Sequence, residues 1–374
     1  MNFSQGDSSH NEQDLLFLRE LVELETPSFD PEASERIARI IAHRFIALGG
    51  EVRTVATEAG TNLVADFAGH GEPILFVGHT DTVWPTGTLA SELPWSESDG
   101  IIRGPGVFDM KSGIVVMCAA LERLQHRPRS AVRIVLNCDE EVGSPTTRDL
   151  VRDEASGCRA AIGFESPHPD GALKLGRRGS TRVVLRVRGR SAHAALDPEN
   201  GVSAIDELVD QLLAVRAITS DPDLPSPVLA NVGVISGGSR ANVVPERASA
   251  EIGLRFVEPE SENSVLSRLQ ALQPVREGAT VEVDTLSSRP AWRASDGDRA
   301  LAEAIARAGA TVGQSIEGRP AAGAGDTNLI GALGIPTIDG FGPLGGGAHA
   351  LDEHIVASTL RERVDLLTVV LQEL

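Results

Sequence analysis

Five stretches of this 374-residue chain concentrate imidazoles and carboxylates. His79 and Asp81 stand in ILFVGHTDTVWP and Asp109 in GPGVFDMKSG. Asp139, Glu140 and Glu141 follow in IVLNCDEEVGS, Glu165 in IGFES, and His349 in GPLGGGAHALDE. Imidazole and carboxylate without thiolate form a donor set for zinc, or for cobalt or manganese in its place. Two divalent ions held close together need a bridging carboxylate, and one more carboxylate left uncoordinated as a base. The adjacent Glu140 and Glu141 could divide those tasks, one ligating while the other faces a bridging water. Asp81, two residues beyond His79, could accept the second imidazole N–H and fix its tautomer.

Each stretch by itself has a plainer reading. A lone His-x-Asp is commonly a surface turn and an adjacent Glu pair a solvated one. Asp109 could cap a helix, although Ser112 is better placed for that. Glu165 and His349 could be ordinary loop residues. The weight lies in the coincidence of five such sites. The chain has no tyrosine, which excludes a phenol as acid or oxyanion donor. Cys118, Cys138 and Cys158 are too few and too widely spaced for a disulfide framework or a CxxC zinc site. Cys118 and Cys138 fall in apolar patterns and read as core.

The elements that must position these groups are legible as periodic patterns. Residues 14–48 read as two helices broken at Thr26, Pro27 and Ser28. Apolar runs at 62–67, 73–77, 132–137 and 160–164 read as buried strands, with a helix at 112–124. Buried strands among amphipathic helices imply an α/β domain with a mixed, largely parallel sheet. In such sheets ligands bind at the carboxyl ends of the strands, so these acids and histidines, standing after strands or in loops, could converge on one crevice. The middle of the chain reads differently. Strands at 181–188, 228–235, 248–256 and 280–286 alternate with helices at 201–218 and 261–272. Ile205, Leu208, Val209, Leu212 and Leu213 are expected on one face of the first of these helices. That order is βαββαβ, a ferredoxin-like unit inserted in the α/β domain, which resumes with a helix at 298–308 and a strand at 336–338.

With 34 basic and 53 acidic residues the formal charge is −19, which argues against nucleic acid or an anionic membrane as partner. No apolar run approaches the ~18 to 20 residues of a membrane span. The N-terminal MNFSQGDSSHNEQ lacks the basic-then-apolar plan of a signal peptide, so a cytoplasmic protein is expected.

The segments GHTDTV, GPGVFDMKSG, DEEVGS, GFES, GRRGS, GRSAHAA, ANVVP, GAGDTN and GGGAH follow one another from about residue 75 to 354. In this order they resemble the dinuclear zinc hydrolases that include glutamate carboxypeptidase, acetylornithine deacetylase, succinyl-diaminopimelate desuccinylase and aminoacylase. GHTDTVWPTGTL followed by GPGVFDMK is most similar to the glutamate carboxypeptidase branch. The resemblance implies a zinc-peptidase catalytic domain at 1–178 and 290–374 and a lid and dimerisation domain at 179–289. It implies two Zn2+ per subunit, with His79 and Glu165 on one ion, Glu141 and His349 on the other, and Asp109 bridging. Asp81 would orient His79, Glu140 would be the general base of a two-zinc hydroxide mechanism, and the Asp109–Met110 peptide bond would be cis. His193 matches a family histidine that reaches the partner subunit's site, which implies a homodimer, and stabilises the oxyanion. Asn242 and Arg255 match residues that hold the substrate's carboxylate, and Asp326 lies in a loop-supporting motif.

The activity implied is hydrolysis of an amide in a small peptide or N-acyl amino acid, releasing an amino acid with a free carboxylate. A deacylase of the acetylornithine or succinyl-diaminopimelate type is the alternative, since both need Arg255 and Asn242 and differ in the acyl pocket. A non-catalytic binding relative would be expected to lack a base or ligand, and here every expected position is filled.

Overall fold

The computed structural model describes residues 7–374. The N-terminal stretch read above for a signal peptide begins in residues 1–6, outside the described residues. The chain forms two compact units. One runs up to Gly176 and includes Ala294–Ala321 and Gly325–Leu374; the other is Arg177–Arg293 with Ala322–Ala324.

In the first unit the main sheet contains β1 (Glu51–Ala56), β2 (Thr61–Phe67), β3 (His70–His79), β4 (Ser130–Asn137), β5 (Ala160–Gly163) and the short strand Thr337–Ile338. The spatial order is β1, β2, β4, β3, β5, Thr337–Ile338. The last four run parallel, while β1, β2 and β4 pair antiparallel. Ile74 to Val77 form a continuous apolar run because both faces of β3 are covered. Ile74 and Phe76 join one core with Ile37, Phe45, Ile114 and Leu367 of the helices, whereas Leu75 and Val77 join Val151, Leu329 and Ile330. β1 escapes a sequence reading because EVRTVA is a mostly exposed edge strand with no buried face. The first two helices, Asp7–Glu23 and Pro31–Ala47, break where expected. Asp30 caps the second by accepting the Ala33 N–H, and Pro31 occupies a first-turn position that needs no N–H partner.

The second unit runs β6 (Gly179–Arg188), helix Ala204–Thr219, β7 (Val228–Gly237), β8 (Arg247–Phe256), helix Pro259–Gln270 and β9 (Thr280–Arg289). Its sheet is antiparallel in the order β7, β8, β6, β9, the ferredoxin-like arrangement. The helix Ala204–Thr219 differs from the expected pattern. Leu208, Val215 and Ile218 face the core, but Ile205, Val209 and Leu213 form an exposed stripe at i, i+4, i+8. Two apolar stripes, not one, account for its hydrophobic run. Among the described residues no helix is long and apolar enough to cross a membrane.

An aromatic layer lies under the strand ends of the first unit. Phe76 packs on Phe164 with ring centroids 4.8 Å apart, and Phe164 on Phe341 at 5.9 Å. Phe76→Ala is therefore expected to lower the unfolding free energy by about 3–5 kcal/mol in urea denaturation. A loss under about 1 kcal/mol would mean that this layer does not support the fold.

Candidate metal centre

His79 is the last residue of β3, Glu140 and Glu141 stand in the 3-10 turn Glu140–Val142 after β4, and Glu165 follows β5 by two residues. Three parallel strands thus deliver these side chains at their carboxyl ends. Asp109 lies in the turn before the helix Ser112–Arg123, and its peptide bond to Met110 is cis, as the resemblance implies. Gly106 enters that turn with φ of +73°, in the left-handed region that favours glycine. His349 adopts φ of +62° in its glycine-rich loop.

The structure brings these six side chains together. Asp109 divides its carboxylate, with Oδ1 3.3 Å from His79 Nε2 and Oδ2 3.2 Å from His349 Nε2. His79 Nε2 also lies 3.4 Å from Glu165 Oε1, and His349 Nε2 lies 3.1 Å from Glu141 Oε2. Ligand-type atoms of His79, Glu140 and Glu165 fall within 4.8 Å of one another, as do those of His79, Asp109 and Glu141.

Asp81 does more than orient an imidazole. The nearer acceptor for His79 Nδ1 is the Asp81 backbone carbonyl at 2.9 Å, with carboxylate Oδ1 at 3.3 Å. That carboxylate also accepts the N–H groups of Glu140 and Glu141 at 3.1 and 3.2 Å and the Ser28 hydroxyl at 2.6 Å. Below it, Asp326 accepts from Asn137 and Ser144, anchoring the loop that carries both glutamates.

Electrostatics bind the cluster tightly. Burial opposes charge on His79, but Asp109, Asp81 and Glu165 outweigh it and raise the imidazole well above its ordinary range. Burial likewise opposes the Asp109 carboxylate, which His349 and His79 nevertheless hold well below the usual carboxyl range. Asp109 and Glu141 push His349 up to about 10. Burial raises Glu141 and Glu165, and the Asp109 charge adds to both. The crowded carboxylates thus favour positive charge on both imidazoles. A divalent cation would supply that positive charge and take the ring nitrogens as ligands. The donor set fits such ions, and Glu141 Oε1 is buried without a hydrogen-bond partner, an atom a cation would satisfy.

The remaining expected site residues belong to the second unit. His193 and Asn242 lie on adjoining segments: His193 bridges to Val243, and the Ala194 N–H donates to the Asn242 carbonyl at 3.1 Å. Arg255 is an exposed residue of β8 whose Nη1 donates to the Leu254 carbonyl. His193 Nδ1 accepts the N–H groups of Ala195 and Leu196 at 3.2 and 3.1 Å.

Two buried carboxylates beneath the centre escaped the sequence reading. Asp339 accepts the Glu165 N–H at 3.3 Å and the Thr327 hydroxyl at 2.9 Å. A Cβ on Gly163 would lie 2.3 Å from Asp339 Oδ1, so only glycine admits this approach. An acid directly after a buried strand was its available signal, the one that marked Glu165. Glu353 is fully buried and accepts four hydrogen bonds around Asp109. Its position four residues after His349 carries no periodic signal.

Residues 75–373 match the model of Peptidase family M20/M25/M40. The chain is 29% identical over 372 residues to carboxypeptidase G2 of Pseudomonas sp. (strain RS-16), covering 96% of this chain and 88% of that protein. It is 29% identical over 293 residues to succinyl-diaminopimelate desuccinylase 2 of Shewanella loihica (strain ATCC BAA-1088 / PV-4), covering 73% and 75%. Aminopeptidase PepT from Bacillus cereus ATCC 10987 shares the fold with a TM-score of 0.73 at 24% identity, over 97% of this chain and 98% of that one. The M20 family metallo-carboxypeptidase Sso-CP2 from Sulfolobus solfataricus does so at 0.73 and 17%, over 96% and 98%. Since the family match runs through most of its length, the chain belongs to Peptidase family M20/M25/M40 and is a metallohydrolase.

Proposed function

We propose that this metallohydrolase cleaves an amide bond to release an amino acid with a free carboxylate, in the manner of a glutamate carboxypeptidase. It would use two Zn2+ per subunit, with Co2+ or Mn2+ as substitutes. The observation that carries this reading is the divided Asp109 carboxylate, whose two oxygens face separate imidazole–carboxylate pairs. His79 and Glu165 would hold one cation, Glu141 and His349 the other, and Asp109 both. Bound there, the cations would acidify a water and polarise the scissile carbonyl.

The chain's own residues do the rest. Glu140, beside His79 and Glu165, takes the proton of the attacking water and returns it to the leaving nitrogen. Asp81 fixes the His79 ring and, through two backbone N–H groups, keeps the Glu140 base in register with Glu141. His193 accepts two N–H groups at Nδ1, so a neutral ring carries its proton on Nε2, as a donor to a developing oxyanion must. Asn242 and Arg255 hold the substrate carboxylate, the guanidinium in bidentate fashion. The buried free thiols of Cys118, Cys138 and Cys158 suit the reducing cytoplasm, where we place the enzyme.

The likeness to carboxypeptidase G2 over nearly the whole chain supports the carboxypeptidase reading. The equal identity to a desuccinylase over a shorter span supports N-acyl-amino-acid deacylation as the second. The family role that His193 matches calls for a second copy, and we place it on the second unit. There β7 is an outer strand with Leu229, Val234 and Ile235 more than half exposed, and the Ile205 side chain of the apolar helix stripe lies against its end at Gly237. An exposed apolar edge strand is a surface that pairing covers.

Four outcomes are expected. Mass spectrometry of a substrate panel with zinc-loaded protein should show amino-acid release from peptides or aryl-acyl glutamates; release from short-chain acyl amino acids alone would favour the deacylase. Glu140→Ala should lose roughly 10²- to 10⁴-fold in kcat while keeping its metal, and unchanged turnover would remove Glu140 as the base. His193→Ala should lower kcat about 10²- to 10³-fold with less effect on KM, and a change in KM alone would argue against an oxyanion donor. Light scattering should give twice the 39.5 kDa chain mass, falling to the monomer for Ile235→Lys; a wild-type monomer would exclude the dimer.

A further inference from the structure

We propose that Glu353 is a positioning residue for the metal centre, its buried carboxylate joining the loops that carry His79, Asp109 and His349. The inference rests on the two-cation reading above. Oε1 of Glu353 accepts the N–H groups of Phe108 at 2.9 Å and Asp109 at 3.1 Å. Oε2 accepts the Gly106 N–H at 3.0 Å and the Trp84 indole N–H at 2.6 Å. Three N–H groups of one turn thus converge on an anion, a concavity of the kind that elsewhere binds phosphate, and here the chain's own carboxylate fills it. With two donors on each oxygen, Glu353 is a partner of the backbone and leaves its oxygens committed away from a cation.

The geometry connects this contact to the centre in three directions. The Asp109 N–H bond restrains the backbone from which the shared carboxylate projects, so a shift there is felt on both sides of Asp109. Glu353 closes the His349 loop, donating its own N–H to the Ala350 carbonyl at 2.9 Å, while the Ala350 N–H donates to Gly347 at 2.8 Å. Trp84 stands five residues beyond His79 on the loop that leaves β3. One side chain therefore sets the spacing of segments that are distant in sequence.

Substitutions separate positioning from packing. Glu353→Gln keeps the shape but turns an NH2 group towards N–H donors, so at least one contact becomes repulsive. Glu353→Asp keeps both oxygens and withdraws them by one methylene. Trp84→Phe removes the indole donor and leaves the three backbone donors in place. The experiment titrates metal-free full-length protein with Zn2+ against a competing chelator and records visible spectra of the Co2+ form. Glu353→Gln is expected to bind Zn2+ about 10- to 100-fold more weakly with an altered Co2+ spectrum. Glu353→Asp should recover part of the loss, and Trp84→Phe should lose less than Glu353→Gln. Wild-type affinity and spectrum in Glu353→Gln would overturn the proposal. If circular dichroism shows that variant unfolded, Glu353→Asp and Trp84→Phe decide: weakened binding with altered spectra supports the role, and wild-type behaviour in both overturns it. A wild-type chain that binds fewer than two cations would sink the two-cation reading and this inference with it, whereas two cations bound equally by wild type and variants would sink only the role of Glu353.

Discussion

Four carboxylates cannot crowd around two imidazoles unless something holds their chains in place against mutual repulsion. At a few ångströms, and partly shielded from water, like charges repel by several kcal/mol. Asp109, Glu140, Glu141 and Glu165 meet that constraint through their backbone as much as through their side chains. The N–H groups of Glu140 and Glu141 are held by Asp81, that of Glu165 by Asp339 and that of Asp109 by Glu353. Each holder is itself an acidic side chain, answered locally by amide donors together with a hydroxyl or, for Glu353, an indole. The inner carboxylates are left facing the imidazoles, where a cation would act on all of them at once.

The sheet makes this arrangement affordable in space. Parallel β4, β3 and β5 end side by side, so residues far apart in sequence emerge within one small volume. Burial on both faces of β3 leaves its end little freedom, and the layer of Phe76, Phe164 and Phe341 closes the core directly beneath Glu165. Lys111 adds a pin from the other side: its buried ammonium donates to the carbonyls of Leu21 and Leu24, and fastens the Asp109 turn to the first helix. Burial lowers that ammonium to about 7, with Glu353, Glu25 and Asp81 acting in the opposite direction.

The second unit follows a different logic. Its antiparallel sheet is covered on one face by two helices and leaves β7 open at an edge. Antiparallel sheets tolerate such one-sided burial, which parallel ones do not. Glu207 shows how locally the unit is stabilised: fully buried, it accepts from Gln211 and from the N–H groups of Val275 and Arg276.

Sequence alone determined the strands that are buried on both faces, because a short apolar run such as ILFV, bounded by Pro73 and Gly78, is too short for a helix and suits a strand covered on both sides. It also marked His79, Glu140, Glu141 and Glu165, since acids and imidazoles directly after such runs stand at strand ends, and Asp109 and His349, set among glycines. It did not reveal β1, whose exposed residues carry no pattern, or the second apolar stripe of Ala204–Thr219, which looks in one dimension like part of a single core face. Nor did it reveal what Asp339 and Glu353 hold. Phe108 and Glu353 are 245 residues apart, and the donor is a backbone N–H, a group every residue but proline possesses. Only the tertiary structure decides which of those identical donors a buried carboxylate meets, because the choice depends on distance and direction in space and leaves no trace in residue type.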